Sequence, residues 1–255
     1  MTSPLFDLTG RLALITGSTQ GIGLALAEGL AAHGATVIIN GRDPNRLSKT
    51  IEMLQDKGIP ARGSIFDVTD RRQIDRSIES IETHIGEIDI LINNAGVQFR
   101  APLEEFPAEK WDELIRTNLT SVFHVSQPVA QRMIPRGRGK IINIGSVQSE
   151  LARPSIAPYT ATKGAIRNLT RGMCADWAKH GLQINAIGPG YFRTPLNQAL
   201  VDSAEFSGWL EKRTPAGRWG NVEELVGAAV FLASDASSFV NGQMLYVDGG
   251  ITASI

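Results

Sequence analysis

Short, almost continuously apolar runs alternate along this chain with longer amphipathic segments, and this alternation restricts the fold more than any other feature. The amphipathic segments predict helices near 21–33, 44–57, 70–85, 108–134, 158–180 and 222–233. The apolar runs predict strands at Leu12–Thr16, Thr36–Asn40, Ala61–Phe66, Asp89–Ile92, Lys140–Ile144, Gln183–Ile187 and Met244–Val247. Apolar strands that alternate with helices are typical of a parallel sheet covered on both faces, with right-handed crossovers. We therefore predict an α/β fold with a doubly wound, seven-stranded parallel sheet flanked by helices.

The chain has 255 residues, which is long enough to bury a substantial core without disulfides or metal ions. Neither a linker nor a repeat interrupts the alternation, so we predict a single domain over residues 1–255. The least regular stretch, 189–220, lies between the sixth and seventh predicted strands. Because long connections are usually functional, we expect a substrate-binding insertion or a lid near 189–220.

Charge and cysteine content exclude several classes of protein. Lysine plus arginine is 25 and aspartate plus glutamate is 26, a balance that gives no support to nucleic-acid binding or attachment to a membrane surface. The sequence has neither an apolar run of about 20 residues nor a signal peptide, which predicts a cytoplasmic protein. One cysteine, Cys174, excludes an intrachain disulfide, and the four histidines are scattered, so no metal site is predicted.

A glycine-rich turn follows the first predicted strand and opens the first predicted helix. Glycine lets a backbone approach a pyrophosphate closely, and a helix N-terminus supplies N–H donors and a favourable dipole. The alternative is a tight turn without a ligand. In this strand–turn–helix context the pattern favours a Rossmann-type dinucleotide site, whose cofactor-binding residues here are Gly17, Ser18, Gln20, Gly21, Ile22 and Gly23.

The end of the second predicted strand bears on the choice of cofactor. Sites for NAD usually place an acidic residue here to bind the ribose 2′-hydroxyl, whereas this chain has Asn40, with Arg42 two positions later. Loss of the carboxylate removes repulsion against a 2′-phosphate, and Arg42 is suited to pair with that phosphate. We predict NADP as the preferred cofactor, with NAD possible. The alternative is that Arg42 is a solvated loop charge.

Polar residues also follow the third and fourth predicted strands. Asp67 and Val68 come after the third, and Asn94, Ala95 and Gly96 come after the fourth. Ligands bind at the carboxyl ends of strands in open α/β sheets, so we expect these residues to line the adenine and ribose parts of a cofactor cleft. The alternative is loop capping, for which Asp and Asn are common.

Tyr159 and Lys163 are four residues apart, which places them on one face of a helix that begins near Pro158. A free phenol has a pKa of about 10, and a neighbouring ammonium group favours the phenolate. The pair is therefore a candidate acid/base unit whose tyrosine pKa we expect to be lowered toward neutrality.

Together these residues resemble the short-chain dehydrogenase/reductase family. The resemblance spans the chain, from the Gly17-x-x-x-Gly21-x-Gly23 turn to Val247-Asp248-Gly249-Gly250. It implies that Tyr159 is the general acid/base, that Lys163 lowers its pKa and binds the nicotinamide ribose, and that Ser146 binds the substrate oxygen. It also implies a proton relay through water at Asn118, and cofactor contacts at Pro189, Gly190 and Thr194.

Three further segments resemble the members of that family that interconvert D-gluconate and 5-keto-D-gluconate: 95–103, 146–154 and 213–220. A sugar acid needs a cation for its carboxylate and polar groups for its hydroxyls. Arg100 and Arg153 are candidates for the cation, and Gln98, Gln148 and Glu150 are candidates for the hydroxyls. The alternative for each is a polar residue of the surface or of a subunit interface. The resemblance also implies a homotetramer.

Two rival functions remain at this stage. The first is reduction of another carbonyl, such as a 3-oxoacyl thioester or a different sugar. The second is a non-catalytic nucleotide-binding regulator with the same fold, but such a protein has no need of Asn118, Ser146, Tyr159 and Lys163 together.

Overall fold

The architecture is built on one seven-stranded parallel sheet in the computed structural model, which describes residues 4–254. Its strands are β1 (Leu12–Ile15), β2 (Thr36–Gly41), β3 (Ala61–Ile65), β4 (Ile90–Asn93), β5 (Gly139–Ile144), β6 (Leu182–Pro189) and β7 (Met244–Val247). They lie in the order β3-β2-β1-β4-β5-β6-β7, and every neighbouring pair is parallel. The predicted doubly wound sheet is thus confirmed. Strand order reverses between β1 and β4, which is where a ligand crevice is expected in this class of sheet.

Helices cover both faces of the sheet. They are α1 (Gly21–Ala32), α2 (Pro44–Asp56), α3 (Arg71–His84), α4 (Ala108–Ile115), α5 (Ser121–Arg136), α6 (Ala157–Trp177), α7 (Gln198–Val201), α8 (Ala204–Arg213) and α9 (Val226–Ala233). Alternate residues of β1 point to opposite faces: Ala13 and Ile15 pack with α1, α2 and α9, whereas Leu12 and Leu14 pack with α3, α5 and α6. This two-sided burial explains why the strands are apolar at every position.

Side chains at the helix starts fix where several helices begin. Asp43 accepts hydrogen bonds from two backbone N–H groups of α2, and Asp70 does the same for α3. Pro158 lies in the first turn of α6, as predicted. A backbone N–H in the first turn has no partner within the helix, so the lack of one in proline costs no helical hydrogen bond. No helix of the described residues 4–254 is long and apolar enough to cross a membrane.

Two parts of the chain differ from the sequence-based prediction. The helix predicted at 108–134 is divided into α4, a π-helical turn at Arg116–Thr120, and α5. The stretch 189–220, predicted to be irregular, contains α7 and α8. Both features border the crevice, because Thr117 of the π turn and Leu200 of α7 line it. Short π segments inside helices are frequent at functional sites.

Candidate active site

A cleft of about 730 Å³ lies at the carboxyl ends of β1, β2, β4, β5 and β6. One end is bordered by the glycine turn and the residues after β2 and β3, and the other by the loops after β4, β5 and β6. We call the first the cofactor end and the second the substrate wall, which comprises Gln98, Arg100, Gln148, Arg153 and Tyr191. Ser146, Tyr159 and Lys163 line the cleft as well, together with Pro189, Gly190 and Thr194.

The glycine turn has the shape of a phosphate cradle. Gly17 and Gly21 both have left-handed φ angles, +60° and +59°, and a Cβ on Gly17 would lie 2.9 Å from Ala95 Cα. Within the described residues, no side chain caps the N-terminus of α1 and its first turn carries no acidic residue. The N–H groups and the positive end of the helix dipole are therefore available to an anion, so these residues fit a dinucleotide pyrophosphate.

Hydrogen bonds tie this turn to the loop after β4. Asn94 donates from Nδ2 to the carbonyl oxygens of Thr16 (2.9 Å) and Gly17 (3.0 Å). Thr16 Oγ1 accepts from the backbone N–H groups of Asn94 (3.0 Å) and Ala95 (3.1 Å). Asn94, Ala95 and Gly96 line the cleft, but the Asn94 side chain acts on the protein itself.

Asn40 lies at the carboxyl end of β2, where it both stabilises the sheet and lines the cleft. It is buried; its Oδ1 accepts from Gly17 N at 3.1 Å, and its Nδ2 donates to the carbonyl oxygens of Ser64 (3.2 Å) and Phe66 (3.1 Å). All of its side-chain groups are thus used within the protein. Because Asn40 is neutral, the charge at the cofactor end comes from other residues.

Two residues predicted to contact the cofactor lie behind the turn instead. Ser18 is buried, its hydroxyl donating to Ile15 O at 2.7 Å and accepting from Asn40 N at 3.0 Å. Gly23 packs so closely against Asn94 that a Cβ at this position would clash with Nδ2. Neither lines the cleft, so the prediction of direct contact is wrong for both. Gln20, Gly21 and Ile22 do line it.

Two arginines provide positive charge at the cofactor end. Arg42 is exposed, with Nη1 3.7 Å from a carboxylate oxygen of Asp67, and Arg46 donates to Gln20 Oε1 at 3.2 Å. Both arginines, Asp67 and Val68 line the cleft. Sequence reasoning missed Arg46, although its spacing of four residues from Arg42, at the start of α2, was a usable signal.

The candidate catalytic residues lie after β5 and on α6. Ser146 follows β5, and its hydroxyl accepts from Gln148 N at 3.1 Å. Lys163 is buried one turn after Tyr159; its Nζ donates to Ile144 O at 2.7 Å and lies 5.6 Å from the centre of the Tyr159 ring. The predicted pairing on one helical face is therefore what the structure shows.

The protonation of this pair differs from the expectation. Burial raises the pKa of Tyr159 to about 12, while a hydrogen bond with Ser146 acts in the opposite direction. Burial also lowers the pKa of Lys163 to about 8. The expected lowering of the tyrosine pKa is wrong for the protein alone, because loss of solvation outweighs nearby charge for a buried phenol.

Asn118 lies in the π turn and does not line the cleft. Its Oδ1 accepts from Val97 N at 2.8 Å, and its Nδ2 donates to Val97 O at 2.9 Å. The buried amide therefore positions the loop after β4. Its role in a proton relay stays a prediction.

The substrate wall is distinguished by unpartnered polar atoms. Six buried side-chain atoms have no hydrogen-bond partner among the described residues, and four of them belong to this wall: Gln98 Oε1, Arg100 Nε, Gln148 Oε1 and Arg153 Nε. Buried polar atoms are normally paired, so two donors and two acceptors in one cleft indicate a polar ligand. Burial lowers the pKa of Arg100, and the positive charge of Arg153 acts in the same direction.

The loops that carry the two arginines are joined. Ala101 N donates to Ser155 O at 3.1 Å, and Ser155 has a left-handed φ of +69°. The Arg153 guanidinium carbon lies 5.4 Å from the centre of the Phe206 ring of α8. The joined loops thus bring two arginines to the lining of one cleft, an arrangement that favours an anionic ligand.

Glu150 was predicted to bind substrate hydroxyls, and the structure contradicts this. Its Oε1 pairs with Arg167 Nη1 at 2.7 Å and accepts from the Tyr246 hydroxyl at 3.2 Å, and it does not line the cleft. The 3-10 turn at Val147–Ser149 directs Gln148 inward and leaves Glu150 on the outer side.

Tyr191 lines the cleft and was missed from the sequence. Its ring packs edge-on against Trp209 and Trp219 and tilted against Phe206. Its hydroxyl lies 3.4 Å from Gln148 Nε2. An aromatic residue directly after Pro189-Gly190 was the available signal.

Comparison with known proteins agrees with this geometry. Residues 17–252 match a family model described as enoyl-(acyl carrier protein) reductase, which covers short-chain dehydrogenases/reductases. The chain belongs to the short-chain dehydrogenase/reductase family, a family of oxidoreductases.

Individual relatives are close. The chain is 61% identical over 251 residues to gluconate 5-dehydrogenase of Gluconobacter oxydans (strain 621H), which covers 98% of each chain. It is 52% identical over 251 residues to 5-keto-D-gluconate 5-reductase of Escherichia coli (strain K12), covering 98% of this chain and 99% of the relative. A crystal structure of a gluconate 5-dehydrogenase from Burkholderia cenocepacia J2315 in complex with NADP and tartrate is similar, with a TM-score of 0.97 and 59% identity over 99% of each chain.

Proposed function

We propose that this enzyme interconverts D-gluconate and 5-keto-D-gluconate with NADP(H). The observation that carries the proposal is the cleft itself, whose lining combines two arginines and two glutamines that carry unpartnered buried atoms with Ser146 and Tyr159. The similar proteins named above for gluconate or 5-keto-D-gluconate support the same substrate.

The cofactor end fits NADP. When bound, the nicotinamide accepts or gives the hydride. The glycine turn and α1 would hold the pyrophosphate, Asp67 and Val68 the adenine, and Pro189, Gly190 and Thr194 the nicotinamide end. Arg42 and Arg46 are exposed beside Asn40, where a 2′-phosphate would find two guanidinium donors.

Proton transfer falls to Tyr159. In oxidation Tyr159 takes the proton of the C5 hydroxyl, and in reduction it returns a proton to the carbonyl oxygen. Ser146 orients that oxygen by a hydrogen bond. Lys163 supplies positive charge beneath the phenol and donors for the nicotinamide ribose, which offsets part of the cost of a buried phenolate.

The carboxylate is assigned to the arginine pair. Arg100 and Arg153 are both buried at Nε, and both atoms lack a partner among the described residues. A carboxylate between them would satisfy these donors and reduce the repulsion between two close cations. In this proposal the carboxylate end is held by the arginines, and C5 of the six-carbon acid lies at Ser146 and Tyr159.

A substrate panel tests the proposal. Purified enzyme would receive D-gluconate, 5-keto-D-gluconate, other sugar acids and an acetoacetyl thioester, each with both nicotinamide cofactors, and reduced nicotinamide would be followed by absorbance. We expect the highest kcat/KM for the gluconate pair with NADP(H). Preference for the thioester, or no turnover of any sugar acid, would contradict the proposal.

A cytoplasmic homotetramer is part of the same proposal. The exposed large apolar side chains include Trp111 on α4, Phe123 on α5 and Leu245 on the edge strand β7. Exposed apolar residues of this size favour subunit contacts. Light scattering of the purified enzyme measures the assembly, and a monomer would contradict it.

A further inference from the structure

Gln148 occupies a distinctive position on the substrate wall. It is 6% exposed, and Oε1 has no partner among the described residues. Its backbone N–H is fixed by Ser146 Oγ, so the residue that binds the reacting oxygen also sets the path of the chain at Gln148. Gln148 lines the cleft, and a buried amide oxygen without a partner in such a residue is a candidate acceptor for a ligand hydroxyl.

Tyr191 fixes the orientation of that amide. Gln148 Nε2 donates to the Tyr191 hydroxyl at 3.4 Å, which leaves Oε1 as the free end of the amide. The tyrosine ring is held by Phe206, Trp209 and Trp219, so its hydroxyl is a rigid anchor. Burial raises the pKa of Tyr191, and the charge of Arg153 acts in the opposite direction, so this cation lies near enough to influence the hydroxyl that holds Gln148.

We propose that Gln148, oriented by Tyr191, recognises a hydroxyl on C2 or C3 of the sugar acid and makes the enzyme reject acids that lack hydroxyls there. The inference rests on the proposed function, since it takes C1 at the arginine pair and C5 at Ser146. Gln148 is connected to both parts of the site, because its backbone N–H donates to Ser146 Oγ and its side chain donates to Tyr191, on which the charge of Arg153 acts. A site built to bond a hydroxyl discriminates strongly against an analogue without it, because its own buried group is then left unpaired.

The test compares two substrates oxidised at the same carbon. D-Gluconate and 2-dehydro-3-deoxy-D-gluconate share the carboxylate and the C5 hydroxyl, but the second has no hydroxyl on C2 or C3. We expect wild-type kcat/KM to favour D-gluconate by at least about 100-fold. In Gln148→Met, which keeps the side-chain length, kcat/KM for D-gluconate should fall about 10- to 100-fold. The value for the deoxy acid should change by less than about threefold, because that substrate makes no bond to lose.

Tyr191→Phe separates positioning from simple packing. The phenyl ring keeps the aromatic contacts but frees the Gln148 amide, so we expect the preference for D-gluconate to fall about 3- to 10-fold with the deoxy acid unaffected. A merely structural defect would lower both rates together. The matched control is Gln183→Met, whose amide donates to Gly181 O away from the cleft, and it should keep the wild-type preference.

The outcomes are distinct. Equal losses for both substrates in Gln148→Met, or a wild-type enzyme that uses them equally well, would overturn the role of Gln148 and leave the gluconate assignment standing. A wild-type enzyme without activity on D-gluconate or 5-keto-D-gluconate would overturn the proposed function and this inference together. Thermal unfolding and NADPH binding confirm that each variant is folded.

Discussion

The two ends of the cleft are built in opposite ways. At the cofactor end the polar side chains of Thr16, Asn40 and Asn94 bond to the protein itself. On the substrate wall, Gln98, Arg100, Gln148 and Arg153 each leave a buried polar atom without a partner among the described residues. The cofactor end offers its ligand mainly backbone N–H groups and a helix dipole, whereas the substrate wall offers side chains. Recognition by side chains needs free donors and acceptors, and these groups are costly to hold in the empty enzyme.

This difference follows from where the residues lie in the fold. The cofactor end is formed by strand ends and one tight turn, whose positions are fixed by the sheet. The substrate wall is formed by residues of loops and a 3-10 turn, and the aromatic residues of α8 pack against Tyr191. We expect substitutions on the wall to reduce activity more than stability, and substitutions at the other end to affect both.

The largest loss of activity is expected at Tyr159, which lies between the cofactor end and the substrate wall. Tyr159→Phe removes the proton donor and acceptor while keeping the ring, so turnover should fall at least about 1,000-fold. Binding of NADPH, measured by fluorescence titration, should change little. Near-normal turnover would remove Tyr159 from the proposed mechanism.

On the substrate wall, Arg153→Ala should raise KM for D-gluconate about 10- to 100-fold, because a charge-assisted bond to the carboxylate is lost. Repulsion with Arg100 is also removed, so the melting temperature should not fall. Steady-state kinetics and thermal unfolding test both parts, with the exposed Arg138→Ala as control. An unchanged KM would exclude Arg153 from carboxylate binding.

Lys163 does not follow the contrast between the two ends of the cleft. It is hydrogen-bonded to the protein, and yet burial disfavours its charged form. Its pKa is lowered from 10.5 to about 8 by burial, so between these values the unfolded chain binds more protons than the folded protein. The contribution of Lys163 to the free energy of unfolding therefore rises with pH across this window and is least favourable below it.

Lys163→Met removes this penalty together with the bond to Ile144. We expect the free energy of unfolding near pH 7 to increase by about 2 kcal/mol, with the gain shrinking as the pH approaches 10.5. Urea unfolding at several pH values measures the difference. A gain that does not depend on pH would mean that packing, not charge, is responsible.

The smallest effect is expected at Arg42. Its pairing with Asp67 is exposed and weak, so Arg42→Ala should leave stability unchanged. Affinity for NADPH should fall about tenfold, since Arg46 remains, while affinity for NADH should not change. Calorimetric titration with both cofactors provides the comparison, and Arg62→Ala, an exposed arginine on β3, is the control. Equal losses for NADPH and NADH would contradict a role at the 2′-phosphate.

The sequence was most informative where local pattern determines structure. The alternation of apolar strands with helices predicted the parallel sheet, and the spacing of Tyr159 and Lys163 predicted that they share one face of a helix, which is α6. The π turn at Arg116–Thr120 was not predictable, because no glycine or proline interrupts the helical pattern there.

Properties that depend on tertiary packing could not be read from the sequence either. Burial of Tyr159 reverses the expected pKa shift. Glu150 is directed away from the cleft by Arg167, which is distant in sequence, and Tyr191 reaches the wall because the aromatic residues of α8 support it. Each depends on neighbours that the spacing of motifs does not reveal.

Asn40 has a consequence for how cofactor preference can be re-engineered. The obvious route toward NAD is an aspartate at this position. Here, however, Nδ2 of Asn40 donates to the carbonyl oxygens of Ser64 and Phe66, so a carboxylate would set a charged oxygen against two acceptors. The substitution would therefore remove the side-chain hydrogen bonds that connect β2 to the end of β3, and this loss of stability would accompany any change in the preference between NADP and NAD. A change of preference, by design or by evolution, has its accessible starting points at Arg42 and Arg46, where no buried bond is broken.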